Sequence, residues 1–142
     1  MLVREIMNTS VVSVDPDESA AQAARLLSRC NIGSVPVCTP DGKLRGIVTD
    51  RDIVLRCVAS ESDPTVTPVR DIMTRNVISA TPTENSDVVA RLMSQGQIRR
   101  IPVVDGGRLV GIVSLGDLAT RQSCCDGAAK ALSDISNNVT RK

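Results

Sequence analysis

The chain repeats itself. Val3-Arg4-Glu5-Ile6-Met7 returns as Val69-Arg70-Asp71-Ile72-Met73, and the register holds without a gap as far as Val37 and Val103, with 15 of 35 aligned positions identical. After a one-residue difference in a turn, Leu44-Arg45-Gly46-Ile47-Val48-Thr49 matches Leu109-Val110-Gly111-Ile112-Val113-Ser114. Self-similarity at such a period means two supersecondary units built alike. A unit of about 55 residues buries too little surface to be secure alone. The aliphatic faces of the two copies are therefore expected to pack on each other about a pseudo-two-fold axis, leaving two equivalent clefts of the kind in which ligands lodge.

Each copy reads in the same order. A short apolar run (Val11 to Val14; Val77 to Ala80) predicts a strand and ends in a proline turn, Asp15-Pro16-Asp17 or Thr81-Pro82-Thr83. Residues 18–30 and 84–95 then carry apolar positions at helical spacing, with acidic residues at the start, where the helix dipole favours them. Gly96 is the expected helix C-cap in the second copy and Asn31 in the first. Strands at 35–38 and 43–49 follow, joined by Pro40-Asp41-Gly42; their counterparts at 101–104 and 108–114 are joined by Asp105-Gly106-Gly107, and both turns are strong hairpin signals. A second helix is expected at 50–59 and at 115–123. The fold class is thus α/β (α+β), a tandem pair of β-α-β-β-α repeats. The expected domains are 1–59 and 69–122, with a Pro-containing polar linker at 60–68 and a tail at 123–142 whose helical stripe is Ala128, Ala131, Leu132 and Ile135.

Composition narrows the chemistry. With 42% hydrophobic residues and a net charge of +1, disorder and a nucleic-acid partner are both disfavoured. No apolar stretch reaches the roughly 18–20 residues of a membrane span, and the start lacks the apolar run of a secretion signal, so a cytoplasmic location is expected. There is no Phe, Tyr or Trp, so the core is aliphatic and no ring is present for a base to stack on. There is no His either, which removes the commonest general base, nucleophile partner and metal ligand. No metal site is expected. Of the five cysteines, Cys30, Cys38 and Cys57 are expected to be small buried hydrophobes; the adjacent Cys124-Cys125 has no reading beyond a helix end or a redox pair.

The residues that bear on function close the last strand of each copy: Gly46-Ile47-Val48-Thr49-Asp50-Arg51-Asp52 and Gly111-Ile112-Val113-Ser114-Leu115-Gly116-Asp117. Their kernel, Gly-Ile-Val-(Thr/Ser)-x-x-Asp, stands where a strand becomes a helix. The same residues form a capping box, worth about 0.5–2 kcal/mol by itself. They also suit a ligand: a carboxylate there can accept from both hydroxyls of a ribose while the Thr or Ser hydroxyl holds the sugar, and unpaired N–H groups of the first turn favour an anion.

With the upstream Ile-x-x-(Val/Ile)-Pro-Val, these paired motifs resemble the cystathionine-β-synthase (CBS) domain family, and residues 2–122 resemble a CBS pair, or Bateman module, of the small stand-alone kind found in bacteria and archaea. The resemblance implies a non-catalytic regulatory module binding AMP, ADP, ATP or S-adenosylmethionine in clefts between the repeats, with no required cofactor. It implies that Asp52 and Asp117 hold ribose hydroxyls beside Thr49 and Ser114. Ile47, Ile112, Ile32 and Ile98 would wall the adenine, Val12 and Ile78 would offer backbone contacts to its edge, and Arg100 and Arg51 would reach phosphate. It further implies a homodimer, and signalling by conformational or oligomeric change to an unidentified effector protein; no nucleic acid or membrane partner is expected. The copies differ where this matters: Arg99-Arg100 stands against Gly33-Ser34, and Asp50-Arg51 against Leu115-Gly116, so two unequal sites are expected. A structural or interaction module without ligand is the alternative. A nucleotide hydrolase is disfavoured by the missing His and by the lack of a Gly-rich phosphate loop with its Lys.

Overall fold

The computed structural model describes residues 1–120 together with 131, 132 and 135. Its elements are a one-turn helix α1 (Val3–Ile6), helix α2 (Ala20–Cys30), strands β1 (Ser34–Cys38) and β2 (Leu44–Thr49), and helix α3 (Asp50–Ile53), which runs on as a π-helical turn (Val54–Val58). A 3₁₀ turn (Val69–Asp71), helix α4 (Ser86–Gly96), strands β3 (Arg100–Asp105) and β4 (Arg108–Ser114), and helix α5 (Leu115–Ala119) follow. Both hairpins are antiparallel and in matching register, with Pro36 opposite Ile47 and Pro102 opposite Ile112. Gly42 (φ 88°), Gly106 (φ 58°) and Gly107 (φ 83°) supply the left-handed backbone that these tight turns need.

The expected leading strands shrink to single parallel bridges, Val14 with Val37 and Ala80 with Val103. Proline explains the arrest. The amide of Val14 donates to the Pro36 carbonyl and Cys38 donates back to Val14, as Ala80 does with Pro102 and Val104. The next rung upstream would need an N–H from Pro36 to the Val12 carbonyl, or from Pro102 to that of Ile78, and proline has none. The ladder stops at one residue, and no sheet donor reaches those two carbonyls.

Two compact units result, and they do not follow the sequence repeat: one comprises residues 12–77, the other residues 1–11 with 78–142. Each leader segment has changed hands. Val3 and Ile6 are buried with Val89, Met93, Ile101 and Leu118, while Val69, Ile72 and Met73 are buried with Ala23, Leu27, Val35 and Val48. Backbone pairing follows the same exchange. Leu2 bridges Asn85 and Pro68 bridges Ser19; Asn8 bridges Ile112 and Thr74 bridges Ile47. Residues 64 and 67, within the expected linker, complete the first unit by accepting from the opening amides of α2 (Ala21 N–H to the Pro64 carbonyl, 2.9 Å; Ala20 N–H to that of Thr67, 2.8 Å). In the other unit the Met1 carbonyl accepts from Ser86 N–H, the first amide of α4.

Helix ends and cysteines refine the sequence reading. Asn31 is the αL C-cap of α2, as expected, but in the second copy the αL residue is Gln97 (φ 56°), one beyond Gly96. Gly96 answers to space instead: a Cβ on it would lie 2.6 Å from Ile78 Cδ1. The second helix of the first copy begins as expected and then widens, with Ala59 N–H bonding back five residues to Val54. The Ser60 hydroxyl donates to the Arg56 and Cys57 carbonyls that the wider turn leaves available. Cys38 and Cys57 are buried, whereas Cys30 is exposed. It is the last residue of α2, and past the αL turn the apolar stripe passes to Ile32, which packs on the core. In the tail Ala131 and Ile135 are buried and helical, whereas Leu132 of the expected stripe is helical but exposed; Cys124, Cys125 and Ala128 lie outside the described residues.

Candidate functional site

Each hairpin delivers its last residue to a helix start. Thr49 is the N-cap of α3 and Ser114 of α5, and both capping boxes are complete. Asp52 N–H donates to Thr49 Oγ1 (3.0 Å) and Thr49 N–H to Asp52 Oδ2 (3.0 Å); Asp117 N–H donates to Ser114 Oγ (3.1 Å) and Ser114 N–H to Asp117 Oδ2 (2.8 Å). The motif therefore fixes each aspartate by two bonds, and only the outer carboxylate oxygen remains to distinguish the copies.

It distinguishes them clearly. Asp52 is 7% exposed, and its Oδ1 lies 3.2 Å from the Thr74 hydroxyl and 3.7 Å from the Arg56 guanidinium. Arg56 in turn donates to the Ile72 and Met73 carbonyls, both at 3.1 Å, so Asp52, Arg56 and residues 72–74 form one polar network. Asp117 is half-buried, and its Oδ1 has no partner among the described residues; Arg121, which takes the place of Arg56 in the repeat, lies outside them. The position equivalent to Thr74 is Asn8, whose side chain instead accepts from Ser10 N–H. The first-turn amides differ in the same sense. In α3 all three are taken: Asp50 by the Gly33 carbonyl, Arg51 by Asp50 Oδ1 and Asp52 by Thr49. In α5 the Arg99 carbonyl takes Leu115 N–H and Ser114 takes that of Asp117. The expected pool of unpaired N–H groups for an anion is thus largely used up in both.

Arg100 stands directly opposite Ser114 in the β3–β4 ladder, which sets its side chain on the same face as the start of α5. Ser34 holds the corresponding place opposite Thr49, so that position is cationic in one unit and neutral in the other. Arg100 is half-buried, and its Nε is buried without a hydrogen-bond partner among the described residues. Three residues earlier, Gln97 Oε1 is also buried without one, while its Nε2 donates to the Ser94 carbonyl (2.6 Å). Turning the amide over would set two oxygens against each other, which fixes its orientation. Arg51 is exposed.

The apolar candidates divide between the units. In the second-copy unit Ile98 and Ile78 both lie against Gly96, where Ile78 remains 38% exposed, and Ile112 is buried. In the other, Ile32 packs on the core, Ile47 is half-buried and Val12 is 41% exposed. Val12 and Ile78 carry the two carbonyls that Pro36 and Pro102 leave without a sheet donor. Sequence reasoning missed Thr74, Arg56 and Gln97. The i,i+4 spacing of Asp52 and Arg56 was a usable signal; nothing local ties Thr74 to Asp52, and side-chain burial at Gln97 has no sequence signature.

The CBS domain model matches residues 3–58 and 69–123. The CBS domain-containing protein YhcV of Bacillus subtilis is 42% identical over 135 residues, covering 95% of each chain. Among solved structures, the CBS domain pair of protein MJ0100 in complex with 5′-methylthioadenosine and S-adenosyl-L-methionine is 37% identical, with a TM-score of 0.72 over 84% of this chain and 93% of that one. The CBS domain protein PAE2072 from Pyrobaculum aerophilum, complexed with AMP, is 26% identical, with a TM-score of 0.77 over 91% of this chain and 98% of that one. Two complete capping-box aspartates on two matching hairpins, in a chain of which both halves match one family model, make this protein a member of the CBS domain family with two CBS domains in tandem.

Proposed function

We propose that the protein is a non-catalytic regulatory module that binds an adenosyl ligand (AMP, ADP, ATP or S-adenosylmethionine) and passes the binding on as a conformational or oligomeric change. The observation that carries this reading is the placement of Arg100 opposite Ser114, the cap residue that holds Asp117. A carboxylate oxygen with no partner among the described residues suits a ribose hydroxyl, and a cation whose buried Nε has none among them suits phosphate or the carboxylate of S-adenosylmethionine. Ile78 and Ile98 offer an apolar wall beside them, and the Ile78 carbonyl an acceptor for an exocyclic amine. The ligands of MJ0100 and PAE2072 support the adenosyl class. Calorimetric titration with AMP, ADP, ATP, S-adenosylmethionine and NAD is the direct test; the absence of heat with all of them rejects the reading. The alternative, a structural or interaction module, draws on the fact that both aspartates already complete helix caps without ligand. The same titrations separate the two.

A homodimer belongs to the same proposal. Its support is the apolar row Val54, Leu55 and Val58 on the π-helical turn, 55%, 51% and 60% exposed, which a second copy would cover. Light scattering after size-exclusion chromatography tests it.

A further inference from the structure

We infer that the two motif aspartates do different work: Asp117 holds the ligand's ribose, while Asp52 is a structural clasp that ties α3 to residues 72–74, so that the chain takes one adenosyl ligand rather than two. The inference rests on the adenosyl reading above and adds to it which aspartate serves. A carboxylate offers about four acceptor positions. On Asp52 Thr49 N–H and the Thr74 hydroxyl, which lies 3.2 and 3.3 Å from the two oxygens, each take a place, and the Arg56 guanidinium stands 3.7 Å from Oδ1 as an ion pair. A ribose diol would have to displace the Thr74 hydroxyl from a side chain that is 7% exposed and enter beside Arg56. Arg56 is held there by its bonds to the Ile72 and Met73 carbonyls. The cost falls on the buried carboxylate, which would lose its Thr74 donor, since Arg56 is itself 51% exposed and open to water.

Asp117 is less enclosed. Its cap bonds use one oxygen and leave Oδ1 open among the described residues, to which Arg121, the counterpart of Arg56 in the repeat, does not belong; what separates the copies is Asn8 in place of Thr74 and the shallower burial of Asp117. The unsatisfied buried atoms also fall in its unit, on Gln97 and Arg100. Arg100 faces the same helix start, and a ligand carrying both donors and acceptors would meet what this unit leaves unpaired. The unit of Asp52 has no such orphan among its described residues.

Two measurements on the full chain decide the matter. In thermal unfolding followed by far-ultraviolet circular dichroism, both Asp→Ala variants lose a helix cap, so the cap cancels from the comparison. Asp52→Ala is expected to melt at least about 4 °C below Asp117→Ala, and Thr74→Val, which keeps the cap, to melt below wild type. Equal melting of the two aspartate variants, or an unchanged Thr74→Val, overturns the clasp; a failure of Asp52→Ala alone to fold supports it. In calorimetric titrations with AMP, ATP and S-adenosylmethionine, wild type is expected to bind one equivalent per chain, and Asp117→Ala to weaken that binding at least tenfold. Two equivalents per chain, with one lost in Asp52→Ala, overturns the single-site assignment and leaves the adenosyl reading standing. No heat with any of the three probes removes that reading and the single-site assignment together.

Discussion

Gly46 and Gly111 occupy the same position in the two hairpins, yet alanine should affect them very differently. A Cβ on Gly46 would lie 2.6 Å from the Thr74 carbonyl oxygen, and 2.9 and 3.2 Å from Sδ and Cγ of Met73. That carbonyl cannot step aside cheaply, because it accepts from Ile47 N–H (2.9 Å) while Thr74 N–H donates to the Ile47 carbonyl (2.8 Å). Relief requires parting this bridge, at about 0.5–1.5 kcal/mol for each bond, and displacing buried Met73, for which overpacking costs about 1–3 kcal/mol. Against this, alanine narrows the unfolded ensemble and returns about 0.4–1 kcal/mol. The net expectation for Gly46→Ala is a loss of about 1–5.5 kcal/mol. On Gly111 the close atoms are Met7 Sδ (2.7 Å) and Cγ (3.0 Å), the end of a flexible and only half-buried side chain, while the Asn8 carbonyl, held by an equivalent bridge to Ile112, stands farther off at 3.1 Å. Met7 can swing away, which leaves a loss of about 0–1.5 kcal/mol. Urea unfolding followed at 222 nm measures both, since the chain has no aromatic residue for fluorescence. Equal losses in the two variants would refute the argument that the closer approach of a bridged backbone carbonyl, rather than contact with a yielding side chain, sets the cost.

Other outcomes follow from the same geometry. Arg100→Ala should weaken ATP and ADP at least tenfold more than adenosine, as read by calorimetry; equal losses would rule out a phosphate role. Leu55→Glu places a charge in the exposed apolar row and should shift the chain to monomer in light scattering, whereas an unaltered mass would exclude that face as the dimer contact. The Cys38 thiol is pushed above the ordinary thiol range by burial, partly offset by a hydrogen bond with Ser13. Its unfolded form therefore ionises first, and stability should fall as pH rises from the ordinary thiol value towards the higher folded one. Cys38→Ser should flatten that alkaline decline, and an unaltered decline would assign it to another group.

Much of this was legible in the sequence, because it is local. The hairpins were announced by Pro40-Asp41-Gly42 and Asp105-Gly106-Gly107, and the helix starts by Thr49-x-x-Asp52 and Ser114-x-x-Asp117; each is a short-range signal with a mechanism behind it. What escaped is non-local. The pairing of Leu2 with Asn85 and of Pro68 with Ser19 joins residues that share no pattern along the chain. Gly96 looked like a cap because glycine near a helix end usually is one, whereas its reason lies in Ile78, eighteen positions upstream. The clasp on Asp52 required knowing that residue 74 returns to the end of β2. At the candidate site, then, the motif was readable and the occupancy of its carboxylates was not.

The exchanged leaders carry a consequence for how the chain can be divided. Cut at the repeat boundary, the first piece would keep Val3 and Ile6 but lose Val69, Ile72 and Met73, the side chains that fill its own core. Two identical single copies could satisfy each other only by trading leaders between chains, the arrangement of a domain-swapped dimer. The covalent tandem performs that trade within one molecule, where the linkage holds each leader at high effective concentration beside its acceptor, independent of protein dilution. A severable boundary, by contrast, falls between Val11 and Val12 and between Val77 and Ile78, where neither piece of core is broken. A fragment of residues 12–77 keeps every residue of its buried cluster, and a permuted chain that joins the remaining segments keeps those of the other.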